Sequence, residues 1–215
     1  MLQTLVRTAG AVTFTLTTFT PSLAHADTRG VVIRVYDIAT TDEAARTGAM
    51  RTASDAIASA GIAVTWRDCS RGGAAHPCRT VRDAGDLVVR IMPGQGPADV
   101  ELGFAPIDPA GRVTVIATVY YDLVQRVARR TGLDARELLG RAIAHEIGHL
   151  LLRTPGHAHN GLMRPLWTDA ELMQNRPGDW MFSEAERGRV QAVAREADVQ
   201  PEASTDAGGI EQAGR

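Results

Sequence analysis

Four of the six histidines of this chain lie between residues 145 and 159, in AHEIGHLLLRTPGHAHNGLM. His145 and His149 are four apart. On a helix four residues turn the chain by about 400°, so both imidazoles leave one face, a turn apart. Two nitrogens so placed can meet one Zn²⁺ at about 2.0–2.1 Å. Glu146 stands one position round from His145. It can lean over such an ion without binding it and accept a proton from a water. A short pattern of this kind also arises by chance, and a histidine taken singly is more often a surface or core residue. Here the pattern sits mid-helix, with a helix-breaking turn and two further histidines just downstream.

A hydrolytic zinc needs a third protein ligand and an open fourth position. On a continuous helix His157 would lie about 12 Å beyond His149 along the axis, out of reach. The helix must therefore end and the chain must return. Pro155 disfavours helical geometry at Thr154, and Gly156 can adopt a positive φ. Either His157 or His159 can then come back to the ion. Glutamates from later helices, Glu171 or Glu184, are remoter options. Met163 follows, where a buried thioether would give the site an apolar floor. A plain core methionine is the ordinary reading of that residue.

The elements that must hold these groups read as α/β. VVIRVYD at 31–37 is a strand. From Asp42 to Ala60 the pattern is helical, with Ala45, Ala49, Ala53, Ala56 and Ile57 on one side. Gly61 stops it, and IAVTWRD is a second strand. Strand, helix and strand in this order predict a parallel pair with a right-handed crossover. DLVVRIM at 86–92 is apolar enough to be central. LGFAPI is a short edge strand, and RVTVIATVYYD the last and longest strand. A short helix follows at about 122–131. Asp134 and Glu137 form a capping-box signature for the helix that carries His145 and His149. Ser183 and Glu186 repeat it for a last helix ending near Ala197. No internal repeat is visible.

The rest of the chain bounds its class. Its 215 residues suffice for one domain with a real core. A net charge of −2 gives no footprint for nucleic acid. All basic side chains are Arg, which reads as compositional bias. Arg7 precedes an apolar, Thr-rich run from Ala9 to Phe19, and Ala24-His25-Ala26 supplies a small-x-small cleavage site. The run is too short and too rich in Thr for a comfortable membrane anchor. Residues 1–26 are thus expected to be a signal peptide, 27–197 a single catalytic domain, and 198–215 a disordered, polar and Gly-rich tail. The mature protein is expected to be secreted or periplasmic, off the membrane, and a monomer. Export, an even count of two cysteines and a short spacer favour a Cys69–Cys78 disulfide. A zinc site of these cysteines with His76 falls one ligand short.

HEIGHLLLRTPGHAHNGLMRP resembles the zinc-binding segment of exported bacterial proteins related to the metzincin metallopeptidases. GIAVTWRDCS, DLVVRIM, LGFAP and VYYDLVQRVARR occur in the same order as in those proteins, so the likeness spans about 31–190. It implies His145, His149 and His157 as zinc ligands, Glu146 as general base and Met163 as the Met-turn. It implies a zincin-like fold: a mixed, mostly parallel twisted sheet with an antiparallel edge strand, packed on a backing helix and the HExxH helix. LGFAPI would be that edge, where a peptide could add as a strand. The chain also departs from the pattern. The metzincin motif HExxHxxGxxH would place Gly at 152 and His at 155, where Leu152 and Pro155 stand. The path to the third ligand is two residues longer, and Arg153 replaces a glycine usual in the bacterial relatives.

The leading expectation is a secreted zinc endopeptidase acting on peptides or proteins. His159, Tyr120 and Tyr121 are candidates for a second electrophile. One alternative is a zinc hydrolase for a non-peptide bond of the cell envelope. Another is a non-catalytic module in which zinc is fully enclosed by His145, His149, His157 and His159. The glutamate between the first two histidines weighs against the module, because a structural site has no use for it. Segments 70–85, 93–101 and 164–182 are the expected pocket walls, with Trp167 and Trp180 as packing or specificity residues.

Overall fold

Alternation along the first strand sets the faces of the sheet. A computed structural model describes residues 29–70, 78, 83, 85–94, 101–108 and 114–199. In β1 (Arg29–Asp37), Ile33 and Val35 are fully buried in the hydrophobic core, while Arg34 between them belongs to the opposite face. β2 (Ile62–Asp68), β3 (Leu87–Met92), β4 (Gly103–Phe104) and β5 (Ile116–Tyr120) complete one sheet in the order β2-β1-β3-β5-β4. All neighbours run parallel except β4, which is antiparallel to β5. This is the mixed, mostly parallel sheet with an antiparallel edge that was expected, with β3 at its centre.

Two strand expectations change. The edge strand is only two residues long. β5 has five residues, whereas β1 with nine is the longest. β5 stops at Tyr120 because Tyr121 opens α2 (Tyr121–Thr131), whose buried Leu123, Val124 and Val127 need helical spacing to face the core. Residues 112 and 113 of the predicted strand lie outside the described residues.

α1 (Glu43–Ala58) joins β1 to β2. Asp42 caps it by accepting from the Ala45 amide at 2.8 Å. Its small-residue stripe, Ala45, Ala49, Ala53 and Ala56, is buried and lets α3 (Ala135–Leu152) approach closely. α3 buries 14 of its 18 residues. It is enclosed by α1 and the sheet on one side and by the chain after Leu152 on the other. Asp134 caps α3 through the Arg136 amide. The predicted reciprocal bond from Glu137 is not made, because that carboxylate bonds Arg141 one turn on, at 3.2 Å.

The face of the sheet away from α3 is partly polar. Arg34 and Asp86 form a buried pair at 2.8 Å, and Arg90 donates to Thr118 at 2.9 Å. Removing one partner of such a buried pair costs about 3–5 kcal/mol, since the other charge is then left unpaired. Beyond the histidines, two further elements occupy a stretch read from sequence as loop. They are α4 (Asp169–Gln174) and a 3₁₀ turn at Pro177–Trp180. Thr168 and Glu171 form the reciprocal capping box of α4, a T-x-x-E signal that the sequence displays. Ser183 and Glu186 make the expected box of α5 (Glu184–Val199).

Cys69 and Cys78 are joined as a disulfide with their Cα atoms 5.7 Å apart. The segment expected to be a signal peptide, His76 and the chain after Val199 fall outside the described residues. No helix among the described residues is long and apolar enough to cross a membrane.

Candidate metal centre

The helix repeat brings His145 and His149 together as their spacing predicts. Their Nε2 atoms are 3.2 Å apart. Each ring is oriented from behind. His145 Nδ1 donates to the Leu162 carbonyl at 2.9 Å, and His149 Nδ1 donates to the Thr154 carbonyl at 2.8 Å. A carbonyl can only accept, so each Nδ1 carries the proton and each Nε2 keeps its lone pair.

The return of the chain is made differently from the sequence reading. α3 ends because Arg153 adopts the left-handed conformation, with φ 50° and ψ 43°. Its amide and that of Thr154 reach back to the Leu150 and His149 carbonyls. Gly156 does not take a positive φ; Gly161, five residues further on, does, at +76°. There the chain turns again, and the Ala158 amide bonds the Met163 carbonyl at 2.8 Å. Arg153 thus occupies the left-handed region that favours glycine.

This path brings His157, not His159, to the pair. One nitrogen each from His145, His149 and His157 lies within 4.8 Å of the others. The His157 ring centroid is 5.3 Å from that of His145 and 4.8 Å from that of His149. His159 is exposed and outside this group. Glu171 is held by Arg164 and by the Thr168 amide and hydroxyl, and Glu184 caps no part of the group.

Met163 is fully buried beneath α3. A Cβ at Gly148 would collide with its sulfur and lie 3.0 Å from Phe182, so the glycine is what admits the thioether between the turns that carry the two histidines. Glu146 is 6 % exposed and faces the same cavity. Gly103 of β4 gives it room: a Cβ there would sit 2.9 Å from Glu146 Cγ. The edge strand thus passes directly against the carboxyl group.

The electrostatics follow from burial. Desolvation pushes the His145 imidazole down to about 3, with His149 and His157 adding to the effect. Desolvation also lowers His149 and His157. All three are neutral at pH 7, the form that binds a metal. Without a metal, desolvation and the nearby Glu101 raise the Glu146 carboxyl to about 8. The donor set fits zinc: three neutral nitrogens converge, and among the described residues no fourth His, Cys, Asp or Glu joins them.

The cavity at the histidines has a volume of about 420 Å³. Leu102–Ala105 and residues 164–169 are among those that line it. Trp167 is part of this lining and meets the His145 ring edge-on at 5.5 Å. Trp180 is buried behind Trp167. Tyr120 and Tyr121 do not line the cavity. Tyr120 stacks on Phe104 instead.

No known family's sequence profile matches the chain, and no curated protein matches it. Similar solved structures include an archaemetzincin from Methanopyrus kandleri. It is 14 % identical over 80 % of this chain and 99 % of that one, with a TM-score of 0.48. A zinc-dependent peptidase from Methanocorpusculum labreanum is 18 % identical over 75 % of this chain and 100 % of that one, with a TM-score of 0.47. At these values neither likeness bears on chemistry, and the atoms of the site must carry it.

Proposed function

We propose that this chain is a zinc-dependent endopeptidase. The observation that carries the reading is the convergence of three neutral imidazoles beside a buried carboxyl group at the wall of an open cavity. His145, His149 and His157 would hold the ion, with Met163 beneath the helix that presents two of them. Zinc bound there supplies Lewis acidity, which polarises a scissile carbonyl and makes a water easier to deprotonate. Glu146 takes that proton and delivers it to the leaving amine. A cation held beside it favours the ionised carboxylate, the form that accepts a proton. The free edge of β4 offers main-chain groups along which an extended peptide can lie, next to Glu146.

Export belongs to the same reading. The first 26 residues have the signal-peptide pattern, and a Cys69–Cys78 disulfide fits an oxidising compartment.

Metal content by mass spectrometry and a proteomic cleavage screen test the proposal together. About one zinc per chain is expected in both the wild type and Glu146→Gln, because the glutamate is not a ligand. Cleavage by the variant should fall by roughly 10²–10⁴. A wild type without zinc, or a variant at full rate, would sink the mechanism.

A further inference from the structure

The cavity is lined by chemically unlike groups. Glu101 and Glu146 bring carboxyl groups. Val127, Ala142 and Leu172 give apolar surface, and Arg130, Arg164 and Trp167 bring N–H groups. Arg130 is committed elsewhere: its Nε and Nη2 bond both oxygens of Asp169, at 2.8 and 2.6 Å.

Arg164 is different. It is 7 % exposed, and of its nitrogens only Nη1 is hydrogen-bonded, to a Glu171 oxygen, while the guanidinium carbon lies 5.8 Å from the Trp180 ring centroid. Its Nε and Nη2 are buried and have no hydrogen-bond partner among the described residues. Those two N–H groups lie side by side on one edge of the guanidinium. They form the fork that receives both oxygens of a carboxylate. The indole N–H of Trp167, on the same wall, is likewise buried without a partner. Behind it Arg141 lies 4.0 Å over the Trp180 ring, whose centroid is 5.4 Å from that of Trp167. This places a second buried positive charge near the wall.

Buried polar groups are normally satisfied, so several unpartnered donors on one wall of a cavity call for an explanation. Every one of these groups is a donor, and one belongs to a buried cation. Such a wall attracts an anion and rejects an amide of the same shape.

We infer that the Arg164–Trp167 wall receives a carboxylate carried by the substrate next to the bond that is cut, either on an acidic side chain or at a chain end. The inference rests on the peptidase reading above and names a substrate class for it. Glu171 stays in place, holding Nη1 and thereby the plane of the fork. Its second oxygen is fixed by the Thr168 amide and hydroxyl at 2.8 Å each.

The test uses matched peptides bearing Glu or Gln at each position flanking the cleaved bond, and a neutral pair ending in a free carboxylate or an amide. Wild-type kcat/KM should favour one acid over its amide by roughly 10- to 100-fold. Preference for Glu assigns the side chain, and preference for the free end assigns the terminus. In Arg164→Gln the ratio should fall to near one. Trp167→Phe keeps the ring, removes the N–H, and should reduce the ratio several-fold. It serves if Arg164→Gln does not fold. Ratios near one for every wild-type pair overturn the inference and leave the peptidase reading standing. Should the wild type cut no peptide, the same pairs are titrated calorimetrically into zinc-loaded Glu146→Gln. Tighter binding of the acids by a similar factor supports the wall without the chemistry. Equal binding, or none, overturns it.

Discussion

His145 and His149 reach the candidate metal position by a different route from His157. The first two stand on a buried helix, with each Nδ1 tied to a carbonyl. His157 stands on an irregular return, is exposed, and has no hydrogen bond among the described residues to fix its ring. A helix presents ligands in pairs because its repeat does so at every fourth residue. A third ligand requires the chain to reverse, and the reversal depends on contacts between distant segments. The helix pair is thus oriented by protein contacts alone, whereas an ion bound there would itself help to position the third imidazole.

The largest expected effect concerns the helix without its ion. The Glu146 carboxyl is raised from 4.5 to about 8 by burial. Its protonated form therefore contributes stability that is complete below pH 4.5, declines as the pH rises, and is gone above 8. Glu146→Gln has no such decline. In chelator, denaturant unfolding should find the variant gaining on the wild type between pH 5 and 9, by on the order of 4 kcal/mol. A constant gap across that range would show that the helix carries its carboxylate without strain.

Next come the ligands themselves. His149→Ala should weaken zinc binding on the order of 10²–10³-fold in a chelator competition. His157→Ala should cost roughly tenfold less, because no hydrogen bond holds its ring in readiness. Equal losses would mean that the return segment is as well organised as the helix. Gly148→Ala probes the junction of the two regions. It drives a methyl group into Met163 and should destabilise by about 1–3 kcal/mol in thermal or denaturant unfolding. The smallest effect is a gain. Arg153→Gly relieves a left-handed residue at the helix end and should stabilise by about 1 kcal/mol, with zinc affinity unchanged or slightly higher.

Much of this architecture is visible in the order of residues. The alanine stripe of α1, the alternation of β1 and β3, and the cap at Asp134 each express a short period, and such periods survive folding. The Thr168–Glu171 box was equally open to view, yet the stretch around it reads as loop because α4 is only six residues long. Arg153 was less accessible: nothing local marks a large cationic residue for a left-handed turn, and the tertiary return of the chain selects it.

By itself the sequence determined the pairing of His145 with His149, the place of Glu146 beside them and the α/β order of elements, because all three follow from local repeats. The tertiary structure decided that His157 rather than His159 joins the pair, that β4 lies against Glu146, and that Arg164 and Trp167 line the cavity with unpartnered donors. Those facts depend on where segments far apart in the chain come to rest. Packing of the whole core sets that, and no short window of residues encodes it.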